Sequence, residues 1–293
     1  TANKRSLQTT GASQNYILVF ADGTAGATTI TIVGSVTGTV LGTETLTFSD
    51  TKPASITATT AKAYIAAGAT TASVFSVTVK DAAGNAITGT SAVVTGTRTD
   101  TTTAGKAIAT ANLSCAWSSV YLAYHCSATG ASTIKFGPAA YSITATGTDA
   151  DETVVTAANV TTTFADTVAT SVTITGPGSA TVGEKITYTL TAKEKNGYPV
   201  ADASYEGGTA NGSNGIFWNT TTAPAYTSSA VAPFNAGETI TTVSGVASKS
   251  LYVPAVAGTV SATWTLAGSA AAPAGAIDKS IAGTTITVDT VIG

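Results

Sequence analysis

Charged side chains are scarce in this sequence. Only 10% of the 293 residues are Asp, Glu, Lys or Arg, against roughly 25% in ordinary soluble domains. The formal net charge is −3, and the lysines and arginines are scattered singly, so nucleic acid is not an expected partner. A surface this poor in charge suits contact with neighbouring copies better than free diffusion, which favours an assembled protein.

Histidine is represented once, by His125, and cysteine twice, by Cys115 and Cys126. Three such ligands do not close a tetrahedral zinc site. A Cys–His nucleophile would need a free, activated thiol, and no Gly-rich phosphate loop lies between a strand and a helix. We therefore expect no enzymatic activity. Methionine is absent and the sequence begins at Thr1, which leads us to expect a processed or partial chain.

Long apolar runs are also missing. A membrane helix needs about 20 predominantly apolar residues, whereas stretches such as YILVF at residues 16–20 have only the length of a strand. We therefore expect no membrane span in these residues. The abundant threonine and valine suit a pleated, half-buried surface, so the chain is expected to be nearly all β.

The two cysteines predict a cross-strand disulfide. If their segment is a hairpin, Cys115 and Trp117 share one face with Cys126, Tyr124 and Leu122 across the turn. A disulfide there would stabilise the fold by about 3 kcal/mol, and disulfides persist in oxidising compartments. The alternative is a pair of buried free thiols in a cytosolic protein. We expect the disulfide and an extracellular location at the cell surface.

Two short phrases recur at a domain-sized interval. The sequence TFSDT at residues 47–51 returns as TFADT at residues 163–167, and a weaker form, TVDT, lies at residues 287–290. The phrase VTVKDAAGNAI at residues 77–87 reads against LTAKEKNGYPV at residues 190–200 with nearly the same spacing. Two markers with one spacing indicate a tandem array of similar domains.

The segment SVFSVTVKDAAGNAITG at residues 73–89 resembles the bacterial immunoglobulin-like (Ig-like) domains of invasin- and intimin-type adhesins and of many surface-layer proteins. Those domains carry a strand, a K-D-x-x-G-N-x-V turn and a second strand. The later copy keeps the lysine, an acid and the glycine but has Tyr198 where Asn is usual. The resemblance implies a sandwich of two antiparallel sheets, with insertions at 98–135 and 202–250. Such domains are scaffolds with many uses, so function does not follow from it.

Three domains are expected along the chain. Residues 52–167 and 168–293 each read as a complete Ig-like β-sandwich, because strand-like segments follow in the same order in both. Residues 1–51 match only the C-terminal part of that plan. A half-sandwich exposes unpaired edges, so we expect either that this chain is a piece of a longer protein or that another subunit supplies the missing strands.

Calcium is the one cofactor that the sequence suggests. Asp149, Asp151 and Glu152 place three carboxylates in a turn-like stretch, and Ca²⁺ prefers hard oxygen donors in flexible loops. The recurring phrase also places Asp50, Asp166 and Asp289 where one domain is expected to pass to the next, and an ion there would stiffen the array. Capping of turns through backbone N–H groups is the favoured interpretation of these side chains, and calcium binding is the alternative.

Glycan and sugar sites are a further possibility. The acceptor pattern Asn-x-Ser/Thr occurs at four positions, which are Asn112, Asn159, Asn211 and Asn219. Three tryptophans could form a sugar-stacking platform, although one or two large core residues per sandwich explain them better; they are Trp117, Trp218 and Trp264. The sequence leaves both questions open.

The expected architecture is an extended, all-β tandem array of Ig-like antiparallel β-sandwich domains. We expect a structural role as a surface-layer (S-layer) subunit or fragment, whose copies assemble into an extracellular lattice or filament through many weak contacts. Its partners would be copies of itself and cell-wall or surface glycan. The alternatives are the stalk of a bacterial adhesin that presents a distal binding tip, and a phage or pilus decoration protein.

Overall fold

The chain is nearly all β in the computed structural model, and the one helix described is a short 3₁₀ turn, η1 (Lys279–Ile281). The structure describes residue 19 and residues 25–100, 108–206, 225–226, 233–234, 239–266 and 277–293. The strands fall into an N-terminal hairpin (β1–β2), unit 1 (β3–β11) and unit 2 (β12–β20). The expected domain boundaries at 51/52 and 167/168 lie in the connections between these groups.

In the part that the structure describes, the N-terminal hairpin and unit 1 contain eleven strands. These are β1 (Gly26–Val33), β2 (Val40–Phe48), β3 (Ser55–Thr60), β4 (Tyr64–Ala66), β5 (Thr70–Lys80), β6 (Ala92–Arg98), β7 (Asn112–Ser118), β8 (Ala123–Thr129), β9 (Gly137–Gly147), β10 (Val154–Thr156) and β11 (Val160–Ala165).

Unit 2 contains nine strands among its described residues. These are β12 (Ser171–Thr175), β13 (Ser179–Ala180), β14 (Lys185–Lys193), β15 (Ser204–Glu206), β16 (Ala225–Tyr226), β17 (Thr239–Thr241), β18 (Val246–Tyr252), β19 (Gly258–Thr265) and β20 (Thr285–Ile292).

The two units share part of their strand order. Unit 1 runs β3-β5-β8-β7-β6-β9-β11-β4, with β10 on the edge of β9. Unit 2 contains the series β12-β14-β18 and β13-β20-β19-β16, with a separate β15-β17 pair. In each unit the last strand pairs in parallel with a short early strand, β11 with β4 and β20 with β13. The strands β3, β5, β8, β9 and β11 thus correspond to β12, β14, β18, β19 and β20.

Alternating side chains explain why these segments form half-buried strands. In β14, Ile186, Tyr188, Leu190 and Ala192 are buried while the residues between them are more exposed. A period of two places one set of side chains on the inner face of a sheet. The same alternation along β9 buries Tyr141 and its neighbours on that face, so each sheet contributes one apolar layer.

An aromatic pair joins the two layers at the same place in each unit. In unit 1 the rings of Phe75 on β5 and Tyr141 on β9 lie 5.7 Å apart. In unit 2 the rings of Tyr188 on β14 and Trp264 on β19 lie 5.9 Å apart. All four side chains are fully buried. Each unit therefore has its own hydrophobic core between facing sheets, as the two separate clusters of buried residues also show.

The stretches expected as insertions, 98–135 and 202–250, each supply a strand that belongs to the core. β8 pairs with β5, and β18, which begins within the second stretch, pairs with β14. The expectation was wrong on this point because β8 and β18 pair with strands that lie far away in the sequence, which local sequence patterns do not reveal.

Candidate functional site: the junctions between units

A buried acid organises the turn that follows β5. Asp81 is only 3% exposed. One of its carboxylate oxygens accepts the backbone N–H groups of Ala83 at 3.0 Å and Asn85 at 2.8 Å. The other accepts the side-chain amide of Asn85 at 3.2 Å. Gly84 takes a left-handed φ of 84°, which glycine adopts without the steric penalty of a Cβ.

The turn after β14 repeats this arrangement with a glutamate. Glu194 is 2% exposed and accepts the backbone N–H groups of Asn196 at 2.9 Å and Tyr198 at 3.1 Å. Gly197 has a φ of 85°. Tyr198 replaces the asparagine of the first turn, and the missing amide contact is supplied by the side chain of Asn196, 2.8 Å from Glu194. Two different sequences therefore form turns with the same pattern of hydrogen bonds.

The carboxyl of Asp81 also holds the connection from the N-terminal hairpin. Its Oδ2 accepts the backbone N–H of Asp50 at 3.0 Å, and Asp50 in turn caps its own bend by accepting the N–H of Lys52 at 3.2 Å. Burial raises the pKa of Asp81, but the N–H donors of Asp50, Asn85 and Ala83 outweigh burial and hold the pKa below its ordinary value. The carboxylate therefore stays ionised and joins a turn of unit 1 to the preceding linker.

Asp166 occupies the matching place between unit 1 and unit 2. Its carboxylate accepts the N–H of Val168 at 3.1 Å, as Asp50 does for Lys52, so both copies of the recurring phrase end in the same capped bend. Its backbone carbonyl accepts the N–H of Ala201 from unit 2 at 3.0 Å. Lys195, from the turn after β14, places its ammonium 3.8 Å from the Asp166 carboxylate.

Two further contacts join the units directly. The ammonium of Lys195 lies 4.6 Å from the ring centroid of Phe136 in unit 1. The backbone N–H of Asp202 donates to the carbonyl of Tyr64 at 2.9 Å, while its carboxylate accepts the N–H of Ser244 at 2.6 Å. Burial raises the pKa of Asp202, and the Ser244 N–H and the Lys62 charge act against it.

The ion pair is the weakest part of this junction. The Lys195 side chain is 57% exposed, and exposed ion pairs contribute about 0–1 kcal/mol. A cation–π contact at an exposed site adds about 0.5–1 kcal/mol, and hydrogen bonds add about 0.5–1.5 kcal/mol each. The junction therefore depends on several small contacts acting together.

The acidic stretch considered as a calcium site is held by other partners. Asp149 accepts the backbone N–H of Thr153 at 3.0 Å and its hydroxyl at 2.8 Å. Asp151 forms an exposed ion pair with Lys52 at 3.3 Å, and Glu152 is exposed with a φ of 47°. Over the described part of the chain, no three His, Cys, Asp or Glu side chains are grouped to hold a metal ion.

The third copy of the recurring phrase does not mark a junction. Asp289 lies inside β20, where its carboxylate accepts the hydroxyl of Ser261 on β19. The expectation that Asp289 falls between two domains is wrong, because the four matching letters occur in a strand and not at its end. Calcium at Asp50 or Asp166 remains a prediction, and both carboxylates already cap their own linkers.

The disulfide lies in a hairpin of unit 1. Cys115 on β7 and Cys126 on β8 are directly opposite each other and are bonded, which is the pairing expected from the sequence. Trp117 packs edge-on against Tyr124 with ring centroids 5.1 Å apart. His125 lies beside Tyr121, and neither of its ring nitrogens makes a hydrogen bond. The disulfide and the contact between the two rings therefore join β7 to β8 within the hairpin.

The tip of the same hairpin is strongly apolar and exposed. Val120, Tyr121 and Leu122 are 81%, 71% and 65% exposed. Leu122 has a positive φ of 50°, a conformation that costs a branched side chain more than glycine or asparagine. Sequence reasoning missed this surface, although three consecutive apolar residues between two paired cysteines were a usable signal.

The remaining candidate residues are dispersed. Asn112 and Asn159 are exposed, and Asn211 and Asn219 lie outside the described residues. Trp264 is buried and donates its indole N–H to the carbonyl of Pro233 at 3.0 Å, so it serves the core of unit 2. Trp117 belongs to unit 1, and Trp218 lies outside the described residues; Trp117 and Trp264 form no shared sugar platform.

No helix in the described ranges is long and apolar enough to cross a membrane. No family model matches the chain, and no curated protein matches it. Among solved structures, it is similar to that of FdeC, an Escherichia coli adhesin, at 19% identity and a TM-score of 0.30, with 92% of this chain and 75% of that chain covered. A likeness this weak says nothing about function.

Proposed function

We propose that this chain is a structural spacer at the cell surface, part of the stalk of an adhesin, built from Ig-like β-sandwich units. The Ig-like assignment is supported by the strand order of unit 1. If its strands are lettered A to G, β3-β5-β8-β7 corresponds to the A-B-E-D sheet and β6-β9-β11 to the C-F-G sheet of the immunoglobulin fold.

One observation carries the spacer function: the units meet end to end. Phe136 and Asp166 lie at the end of unit 1 where β11 finishes, and Tyr64 begins the strand that pairs with it. Lys195 follows β14, whose last residues pair with the start of β12. Opposite ends of successive units are therefore in contact, and repetition of such contacts lengthens a rod without adding width.

The disulfide supports the location. Disulfides persist in oxidising compartments and are rare in the cytosol, and the bond between Cys115 and Cys126 is part of the folded core of unit 1. A spacer outside the cell also needs no catalytic group, and the buried acids of the junctions are engaged in holding backbone N–H groups.

A second candidate function, a surface-layer subunit, is favoured by the hairpin tip. Val120, Tyr121 and Leu122 form an exposed apolar tip, and no Asp, Glu, Lys or Arg occurs between Lys106 and Lys135. A lattice requires sideways contacts between copies, and an uncharged apolar projection is suited to them. A spacer requires no such contact.

Sedimentation velocity and negative-stain electron microscopy at rising protein concentration separate the two functions. A spacer stays monomeric and appears as separate rods, with or without millimolar calcium. Ordered sheets or tubes would contradict the spacer and support the lattice. In that event the variant Tyr121→Ser/Leu122→Ser should abolish the sheets, whereas the control Val243→Ser, at an exposed turn of unit 2, should leave them intact.

A further inference from the structure

The two recurring phrases of the sequence meet in space at each junction. At the first junction the backbone of Asp50, from the phrase TFSDT, donates to the carboxylate of Asp81, from the turn phrase. At the second junction Asp166, from the phrase TFADT, contacts Lys195, from the corresponding turn, at 3.8 Å. The phrase that contains Asp50 or Asp166 therefore lies at the end of the preceding segment. The turn phrase lies on the surface of the next unit that contacts that end.

Two contacts besides the linker hold the second junction. Lys195 contacts both the carboxylate of Asp166 and the ring of Phe136. The backbone N–H of Asp202 donates to the carbonyl of Tyr64. A single contact leaves rotation about that point free, whereas a second contact made by a different residue restricts it.

Asp202 links the second contact to the body of unit 2. Its carboxylate accepts the N–H of Ser244 from the turn before β18, so the residue that touches unit 1 is tied to two parts of unit 2. The carbonyl of Asp166 accepts the N–H of Ala201, the neighbour of Asp202. The linker and the receiving surface thus form one connected set of hydrogen bonds.

We propose that these residues form a clasp, composed of Asp166, Lys195, Phe136, Asp202 and Tyr64, that fixes the angle between unit 1 and unit 2. The partner that fits the receiving surface is the end of another β-unit that carries an acid-ended linker and a neighbouring aromatic ring. Domains usually move relative to each other when their interface is small and polar. The clasp restricts this motion because it adds contacts between the two units to the covalent linker.

Distances between spin labels on the two units test the clasp in the full chain. Thr57→Cys on β3 and Thr173→Cys on β12 provide labels on corresponding, exposed strands. The wild-type chain should give one narrow distance distribution. The clasp variant Lys195→Gln/Asp202→Ala should broaden it by about twofold or more, because small polar interfaces leave domains free to move.

The control variant Lys193→Gln removes an exposed lysine two residues from Lys195 and should leave the distribution narrow. Each single variant, Lys195→Gln and Asp202→Ala, should broaden it partly, and thermal unfolding should show that both units remain folded. A broad distribution in the wild-type chain, or an unchanged one in the folded double variant, would overturn the clasp.

The clasp gives the proposed spacer its stiffness. The two proposals can nevertheless be contradicted independently. Ordered sheets in electron microscopy together with a narrow distance distribution would contradict the spacer and leave the clasp standing. Monomeric chains with a broad distribution would contradict the clasp and leave a flexible spacer.

Discussion

Unit 1 and unit 2 share the contacts at the centre of their cores and differ in the hairpins beside them. Both place an aromatic pair between the layers and a buried acid in the turn after β5 or β14, Asp81 in one and Glu194 in the other. The hairpins are built differently. Unit 1 has the disulfide-bonded β7–β8 hairpin, which also pairs with β6, whereas unit 2 contains no cysteine and pairs short β15 with β17.

The difference indicates which contacts define the fold. The interlayer aromatic pair and the acidic turn recur although almost every residue in them has changed, so geometry is kept by equivalent contacts and not by identical side chains. The β7–β8 hairpin combines a core strand, β8, with an exposed apolar tip at residues 120–122, and only the tip lies outside the core. Specialisation of one unit relative to another is therefore expected at such exposed tips.

Removing one ring of an interlayer pair should have the largest effect. Phe75→Ala should destabilise unit 1, and Trp264→Ala should destabilise unit 2, each by about 3–5 kcal/mol, because a large cavity opens in a closed core. Differential scanning calorimetry of the full chain should show one transition lowered in each variant and the other little changed. Equal displacement of both transitions by either variant would mean that the units do not have separate cores.

Loss of the disulfide should affect unit 1 alone. The variant Cys115→Ala/Cys126→Ala should lower the stability of unit 1 by about 2–4 kcal/mol, since the cross-link restricts the unfolded chain. Dithiothreitol should do the same to the wild-type chain and nothing to the variant, as followed by the same calorimetric transitions. A fall in the unit 2 transition on reduction would contradict the independence of the two cores.

The acid of the first turn should make unit 1 sensitive to low pH. Because the folded state lowers the pKa of Asp81, its stabilisation is present above the unfolded pKa of about 3.9 and is lost as the pH falls through the lower folded value. Asp81→Asn should cost about 1–3 kcal/mol at neutral pH, because buried N–H groups lose a charged acceptor. Urea unfolding followed from about pH 2 to about pH 7 should show less pH dependence in the variant.

Glu194→Gln provides the matched test in unit 2. It should lower the unit 2 transition and leave that of unit 1 in place, because Asn196 and Tyr198 lose the same kind of charged acceptor. An Asp81→Asn chain that is as stable at neutral pH as the wild type would show that the turn does not depend on its carboxylate.

Glycine substitutions in the two turns should have the smallest effects and equal ones. Gly84 and Gly197 have φ values of 84° and 85°, and a Cβ at either meets no atom within 4 Å. Gly84→Ala and Gly197→Ala should therefore each cost only the backbone penalty of about 1–2 kcal/mol. Gly178→Ala, where φ is ordinary and space is equally open, is the control. Unequal losses in chemical denaturation would show that the two turns are not equivalent.

Strand alternation was the most useful sequence signal for the fold. The spacing of Val77 and Val79, and of Tyr188 and Leu190, identifies the inner faces of β5 and β14, where all four side chains are buried. The core roles of β8 and β18 were not predictable from local patterns, because these strands pair with β5 and β14, which lie far away in the sequence. Local patterns specify a strand, but only the folded sheet specifies its neighbour.

The junctions were predictable only in part. The recurrence of Asp50 and Asp166 in one phrase located both linkers, and the same four-letter reasoning failed at Asp289, which lies inside a strand. The contact of Lys195 with Phe136 has no signature in the sequence, because it joins residues from different units whose arrangement is fixed by the fold. The burial of Glu194 was likewise not predictable, because charged side chains are usually exposed.

Small-angle X-ray scattering of the full chain tests the central claim most directly. End-to-end packing of unit 1 on unit 2 predicts an elongated particle whose pair-distance distribution has an extended tail and whose maximum dimension exceeds the length of either unit. A compact, nearly symmetric distribution would mean that the units pack side by side, and would contradict the spacer and its clasped junction together.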